Sequence, residues 1–528
     1  MTSLMQIAFI IIGSILVAIN ITQASRHKRL GNLVYYVLAG IALFSIVFTL
    51  FVWLNHLYFP LNLDLMESTI LQHVGQLTNG KPVYPEPSPE YVPLAYNVLY
   101  YVISIPFASV LGLSLPTLRF VAILASIGAT IIMFDVVRRY TQSIWWSLIT
   151  VGLFAAAYYV MDTYLDNAHS DSWFLFMALL GSYILDRAKS RTVNIIGILV
   201  LVASFWFKQH GALFTIGGVL YLTLREGILR SIPYWLTAGI FGPIAYVLAG
   251  PVLFGPRFIY FTWEVPRGWS SMDLSAFTRL ARFIATTYPF MAVSAGLLIG
   301  WKFIQERRKI SIWFLQAVMA VLTGLMGSLD AGSADNVYIS MGVWFILAGT
   351  LGLFELERRS QFVSCYRLHL VILLASFALL LYDPRNVLVS PQAHEAYIDF
   401  ITMLDDLDGQ VYAPTLGQLQ GDYQFYPAAH WVALEDMIRG PGRETRDHPN
   451  TRQFLEPLIY PEGRPAYILT NNPLESEGNF ILGFLLEDYV LDIDFGNRFE
   501  PLRVLPKRFD HLWPRYLYRY DPEQAATE

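Results

Sequence analysis

Three places along the chain set titratable side chains at the ends of long apolar stretches. Asp64 and Glu67 follow one of them, in Leu61-Asn62-Leu63-Asp64-Leu65-Met66-Glu67. Asp162, Asp166, His169 and Asp171 follow a second, and Lys208 and His210 interrupt a third, in Phe205-Trp206-Phe207-Lys208-Gln209-His210-Gly211. Charged groups at membrane depth are costly, so they are usually paired, wet or functional. Asp64 suits a general base whose acidity is set by partial burial and neighbours; it also suits an N-cap for the next helix. Glu67 lies one turn on, facing the same way, as a second base, a metal ligand or a structural partner. In the loop 162–171, Ser170 or Asp171 can cap the following helix, with Asp166 solvated. The same density of acids around His169 suits a divalent cation, whose candidate ligands are Asp64, Asp171 and His169; the spacing does not decide whether a metal is present. Lys208 either snorkels to headgroups or meets a phosphate, with Gly211 permitting close approach. Arg119, at the start of another apolar stretch, suits the same task, and a lipid phosphate held by Lys and Arg leaves readily without a metal.

The elements that must position these residues are membrane helices. Hydrophobic residues make up 55% of the 528 residues and charged residues 15%, against about 25% charged in ordinary soluble domains. Apolar runs able to span ~30 Å recur at 4–23, 33–58, 117–137, 143–161, 172–186, 193–207, 210–224, 233–254, 280–301, 311–329, 337–354 and 368–382. The first leads into Arg26-His27-Lys28-Arg29 without a small-residue cleavage site, so it reads as a retained helix. One set of short loops carries Arg138/Arg139, Arg187/Lys189/Arg191, Arg225/Arg230, Lys302/Arg307/Arg308/Lys309 and Arg358/Arg359/Arg367; by the positive-inside bias it is cytoplasmic. The loops bearing Asp64, Asp171 and Lys208 then share the outer face of an inner, multi-pass cell membrane, provided that 92–113 lies in the outer leaflet and does not cross. A net charge of −5 gives no case for nucleic acid or another polyanion.

Residues 1–384 read as a transmembrane domain with a large outer loop at 59–116. In that loop Ile70, Leu71, Val74 and Leu77 recur at helical spacing, an amphipathic helix stopped by Gly80. Pro82, Pro85, Pro87 and Pro89 make the following stretch an ordered loop. Residues 385–528 turn polar and read as a small extracytoplasmic α/β domain, with a helix at 392–407 and strands around 411–412, 466–469, 490–493 and 516–520. Cys365, the single cysteine, falls near a cytoplasmic helix end, so the outer domain has no disulfide. Asn336, in Gly332-Ser333-Ala334-Asp335-Asn336-Val337-Tyr338, caps a helix on the outer face or faces the site. Trp263 to Trp269 offer aromatic faces suited to a sugar or lipid head, or to an interfacial belt.

In these residues the chain resembles the GT-C type integral-membrane glycosyltransferases, in the branch of protein O-mannosyltransferases and bacterial aminoarabinose–lipid A transferases. The resemblance is carried in order by Asp64, Gly80-Lys81-Pro82-Val83-Tyr84, Pro93-Leu94-Ala95-Tyr96, Leu118-Arg119-Phe120 with Arg138-Arg139, Ser170-Asp171-Ser172-Trp173 and Lys208-Gln209-His210-Gly211. It covers residues about 30–380. It departs where the family often has adjacent Asp-Glu and this chain has Leu65, where some members have Lys and this chain has Val92, and in the additional first helix. It implies an all-α, GT-C-like polytopic fold of about twelve transmembrane helices with a small C-terminal α/β domain. It also implies sugar transfer, with inversion, from a polyprenyl-phosphate donor to an extracytoplasmic lipid, glycan or protein hydroxyl. Asp64 is then the base. Lys208 and Arg119 hold the lipid phosphate, and Asp171, with Glu67 or His169, orients sugar or acceptor. Tyr84, Asp166, His210 and Asn336 are further substrate-binding candidates. Two other classes compete. A transporter or flippase of a lipid-linked sugar would place paired charges near the midplane and show repeat halves; a non-catalytic membrane scaffold would need no such site.

Overall fold

The computed structural model describes residues 28–88, 91–269, 274–305, 311–330, 333–416, 430–438, 464–476 and 481–522. The apolar run 4–23, Arg26, Arg307 to Lys309 and Gly332 lie outside them. The remaining apolar runs become helices: α1 Lys28–Leu57, then the amphipathic α2 Glu67–Thr78, α3 Leu99–Leu111, α4 Leu115–Thr141, α5 Ile144–Ala156, α6 Asp171–Arg187, α7 Arg191–Phe207, α8 Gly211–Glu226 and α9 Ile228–Gly239. After a broken stretch come α10 Leu274–Thr287, α11 Pro289–Gln305, α12 Ile312–Ser328, α13 Ile339–Arg359 and α14 Leu368–Leu379. Serines start several of them: Ser114, Ser143, Ser190 and Ser311 each accept a first-turn N–H at the heads of α4, α5, α7 and α12, satisfying donors the helix cannot reach.

Among the described residues, Leu33–Leu57, Leu115–Thr141, Ile228–Leu248 and Asp335–Arg359 are long and apolar enough to cross a membrane. Three expected spans are broken or cut short. The run 280–301 turns by 101° between α10 and α11. Pro289 lacks an N–H and bars its predecessor from helical geometry. The run 233–254 breaks into short α and π turns around Gly242-Pro243 and Gly250-Pro251. The run 368–382 ends early, and α14 bends by 52° into the next helix.

The C-terminal segment adds helices α15 Pro391–Asp405 and α16 Trp431–Ile438 and strands β1 Val411–Tyr412, β2 Tyr467–Thr470, β3 Tyr489–Asp494 and β4 Tyr516–Tyr520. The sheet order is β1-β2-β4-β3. β1 runs parallel to β2, and β4 pairs antiparallel with both β2 and β3. The core beneath this sheet is not its own alone: Phe400, Leu404, Val411, Leu469 and Leu517 pack with Phe59, Leu61 and Leu63 of the first large loop. Burying each of those three loop side chains stabilises by roughly 1.5–3 kcal/mol. The loop that carries Asp64 is therefore clamped between helices and sheet, and Leu505 N–H closes the seam on the Leu63 carbonyl at 2.9 Å.

Candidate active site

Glu67 and Arg119 form the frame of the site. Both are fully buried. Arg119 donates Nε to Glu67 Oε1 at 2.9 Å and Nη2 to Oε2 at 2.6 Å. Its other N–H groups reach the carbonyls of His56 (2.9 Å), Phe59 (2.5 Å) and Leu61 (2.6 Å). A guanidinium has five N–H donors, and here all are spent within the protein. Glu67 is as fully used: Oε2 accepts from Leu63 N–H and Oε1 from Ala168 N–H, both at 2.7 Å. Burial opposes its charge, but the Arg119 guanidinium and these N–H groups hold its carboxyl below the usual range. This pair ties the end of α1, the loop 59–67, α4 and the loop 157–170 into one unit. The expectation that Arg119 faces a phosphate is not met in this geometry, nor does Glu67 have an open oxygen for a proton or a metal.

Asp64 is built differently. Oδ1 accepts from Met66 N–H and Oδ2 from the Asn167 amide, each at 2.6 Å. It carries no side-chain cation of its own. Burial raises its carboxyl well above the usual carboxylate range, the Glu67 charge adds to this, and Met66 N–H and Arg119 only partly offset it. The N-cap expectation fails: α2 begins at Glu67, its N-cap is Met66, and no side chain caps it.

Asp171 opens α6 and receives Lys208 Nζ on Oδ1 at 2.6 Å. His169 Nδ1 comes to 2.5 Å of Oδ2, and Asn336 Nδ2 stands 3.4 Å from the same oxygen. His169 is held edge-on between Tyr96 and Tyr164, with ring centroids 5.0 and 5.1 Å away. Lys208 is placed by a tight turn. It caps α7, its carbonyl accepts Gly211 N–H at 2.8 Å, and a Cβ at Gly211 would strike the backbone of Ser204 and Phe205. Only glycine lets α8 start pressed against the end of α7.

The remaining candidates separate. Asp166 lies apart in a buried knot, accepting from Tyr158 OH at 2.5 Å and meeting His56 Nδ1 at 2.7 Å. Tyr84 is also structural: its hydroxyl donates to the Tyr96 carbonyl at 2.5 Å, and its backbone pairs with Phe254 and Arg257. His210 and Asn336, by contrast, line a cavity of about 380 Å³ together with Lys208, Tyr96, Tyr164, Leu65 and Met66. Its outer wall comes from Trp263, Arg267, Trp269, Asp330 and, on α16, Trp431, Glu435 and Asp436. Burial, and then the Lys208 charge, lower His210 to about 4, so its imidazole is neutral at physiological pH. Asp64 is fully buried, and the two residues that follow it, Leu65 and Met66, line the cavity.

The donor set does not fit a divalent cation. Asp64 Oδ1 already accepts Met66 N–H and Oδ2 the Asn167 amide, and Asp171 Oδ1 holds Lys208 Nζ. Among the described residues no three His, Cys, Asp or Glu side chains converge as ligands. The sequence reading missed Asn167, which touches Asp64 from inside the quoted loop, and the whole face of α16. It also missed Lys507, whose N–H binds Asp162 Oδ1 and whose Nζ binds Asp335 Oδ2, both at 2.8 Å. Asp162, with φ of 61°, is raised to about 6 by burial, against the pull of Lys507.

The described residues form a helical bundle with a long first loop, a buried cluster of charged side chains and a small α/β cap. Among solved structures, the fold is similar to that of ArnT from Cupriavidus metallidurans in the apo state, with a TM-score of 0.53 at 12% identity over 92% of this chain and 99% of that one. The structure of ArnT bound to undecaprenyl phosphate scores 0.46 at 11% identity over 92% and 99%. The mycobacterial arabinofuranosyltransferase AftD scores 0.45 at 14% identity over 94% of this chain and 40% of that one. No protein-family model and no curated protein matches the sequence.

Proposed function

We propose that this chain is a membrane glycosyltransferase that moves a sugar from a polyprenyl-phosphate donor to a hydroxyl outside the cytoplasm, with inversion. The observation that carries the reading is a buried carboxylate without a paired side-chain cation (Asp64), immediately before the cavity-lining Leu65 and Met66, and a lysine on the wall of the same cavity (Lys208), within a fold similar to that of ArnT. An Asp64 carboxylate raised by burial is a competent base once ionised. It takes the proton of the acceptor hydroxyl. The hydroxyl oxygen bonds to the anomeric carbon from the face opposite the phosphate, and the carbon–phosphate oxygen bond breaks with its electron pair passing to the phosphate. Lys208 supplies positive charge where that phosphate leaves, and Asp171 holds the ammonium in position. Arg119 and Glu67 serve the reaction by fixing the loop and not by touching substrate.

The test is a panel of radiolabelled polyprenyl-phosphate sugars given to the full chain in lipid nanodiscs with a membrane extract as acceptor. The expected result is labelled product of inverted anomeric configuration with free polyprenyl phosphate released in equal amount. Movement of the intact lipid-linked sugar between leaflets, with no bond broken, would instead establish a flippase.

A further inference from the structure

We propose that Asn167 is a positioning residue for Asp64: its side-chain amide donates to the ionised carboxylate and turns to accept from the carboxyl once a proton has arrived. The use of Asp64 as a base rests on the transferase reading above; the exchange between amide and carboxyl does not. Among the described residues, Asn167 is the one side chain hydrogen-bonded to Asp64, Nδ2 to Oδ2 at 2.6 Å. Its backbone is fixed from both sides. Asp166 is pinned by Tyr158 and His56, and Ala168 N–H binds Glu67 Oε1 at 2.7 Å. The Asn167 carbonyl itself accepts His169 N–H at 2.7 Å. The side chain thus starts from an anchored point. It is buried, and its Oδ1 has no hydrogen-bond partner among the described residues.

An ionised carboxylate only accepts hydrogen bonds, whereas a protonated one also has an O–H to donate. An asparagine amide has a donor end and an acceptor end of nearly the same shape, so a half turn about its last bond matches either state. One end of the amide already lacks a partner, and the other end would lack it after the turn, so no bond is lost on that side. On the Asp64 side the exchange balances. The proton of the acceptor hydroxyl passes to Oδ2, the bond from Asn167 Nδ2 gives way, and Asn167 Oδ1 accepts the new O–H. Met66 N–H stays on Asp64 Oδ1 throughout. The surroundings leave the carboxylate in need of such a donor. Burial, then the Glu67 charge, and that of Asp171 favour the neutral carboxyl. Arg119 offsets part of this from α4, but its N–H groups are spent on Glu67 and three carbonyls. The phenols of Tyr96, Tyr100 and Tyr164 lie within electrostatic reach of Asp64 and stay protonated, so they add no charge. A lysine in place of Asn167 would favour the ionised form so strongly that the carboxylate would be a poor base.

The experiment follows the Asp64 carboxyl by infrared difference spectroscopy through a pH titration of the full chain in nanodiscs, without donor or acceptor. The carboxyl band is assigned by its loss in Asp64→Asn, and the Asn167 amide band by its loss in Asn167→Leu. In the wild type the amide band should shift along the same titration, as its oxygen goes from unbonded to bonded. Asn167→Leu removes a hydrogen bond to the charged form and should raise the Asp64 midpoint by about one to two pH units. Asn167→Asp keeps the shape and carries the test should Asn167→Leu fail to fold. It should replace the single step by two, because facing carboxyls share one proton. With a donor that the wild type uses, the acidic limb of kcat/KM should move up in Asn167→Leu with the spectroscopic midpoint. The rate then falls roughly ten- to hundredfold below that limb and returns at higher pH. An Asp64 titration unmoved in the variants overturns the proposal. So does an amide band indifferent to the wild-type titration, or a rate lost equally at every pH. Failure of the transferase reading is seen separately, as absence of polyprenyl phosphate release by the wild type from any donor, and leaves the infrared result standing.

Discussion

Replacing Arg119 by methionine separates a structural guanidinium from a substrate-binding one. The structure gives Arg119 two bonds to Glu67 and three to the carbonyls of His56, Phe59 and Leu61, all fully buried. Removing one partner of a buried pair typically costs ~3–5 kcal/mol because the other charge is left uncompensated. Each carbonyl left without a donor adds about 1–3 kcal/mol before relaxation. Even with generous relaxation the loss is of the order of the whole stability of an ordinary domain, about 5–15 kcal/mol. Arg119→Met should therefore yield little monodisperse protein after detergent extraction, with a collapsed thermal midpoint. Arg119→Met combined with Glu67→Met should recover part of that loss, since the buried charge goes as well. The assay is size-exclusion retention after a temperature ramp, on both single variants and the double. An Arg119→Met protein with the wild-type midpoint and only weakened binding of polyprenyl phosphate would refute the structural role and restore the phosphate contact.

Three further outcomes follow from single contacts. Asp162 has a folded value of about 6 against an ordinary 3.8. The folded state thus binds its proton more tightly, so the burden is absent below about pH 4 and complete above about pH 6, worth up to about 3 kcal/mol; Asp162→Asn should raise the thermal midpoint near pH 7 and leave it unchanged near pH 4. Lys507→Met removes a part-exposed pair with Asp335 worth about 0–1 kcal/mol, so the midpoint should hardly move. Hydrogen exchange at 333–338 should nonetheless quicken, and unchanged exchange would mean that the Lys507 ammonium does not tie down that loop. Gly211→Ala drives a methyl into the backbone of Ser204 and Phe205, costing about 1–3 kcal/mol. It should displace Lys208 enough to lower turnover while Ala212→Gly, next along, does not.

Much of the helix layout was legible in the apolar runs, because a helix such as α4 needs only length, apolarity and a serine cap, and Ser114 announces where it starts. The breaks were harder. Pro243 and Pro289 were both visible, yet an apolar run gives no sign that its direction turns by 101°. The common location of Asp171 and Lys208 was legible in the charge bias of the loops; that they would bond to each other was not. The sequence did not show that Glu67 and Arg119, 52 positions apart, would spend themselves on each other, because hydrogen-bond saturation belongs to the folded geometry. Nor did it show α16 as a wall of the site. Trp431, Glu435 and Asp436 stand in a polar segment whose pattern resembles any surface helix, and only docking against Trp269 gives them a cavity to face.

The measurement that bears most directly on the proposed chemistry is transfer by Asp64→Asn. The amide can still accept the Met66 N–H, so the variant should fold, show a thermal midpoint no lower than that of the wild type and bind polyprenyl phosphate as the wild type does. With a donor that the wild-type protein uses, turnover should fall at least a hundredfold, the scale of losing a general base, with no release of polyprenyl phosphate. Wild-type turnover in a well-folded Asp64→Asn protein would contradict the assignment of Asp64 as the base.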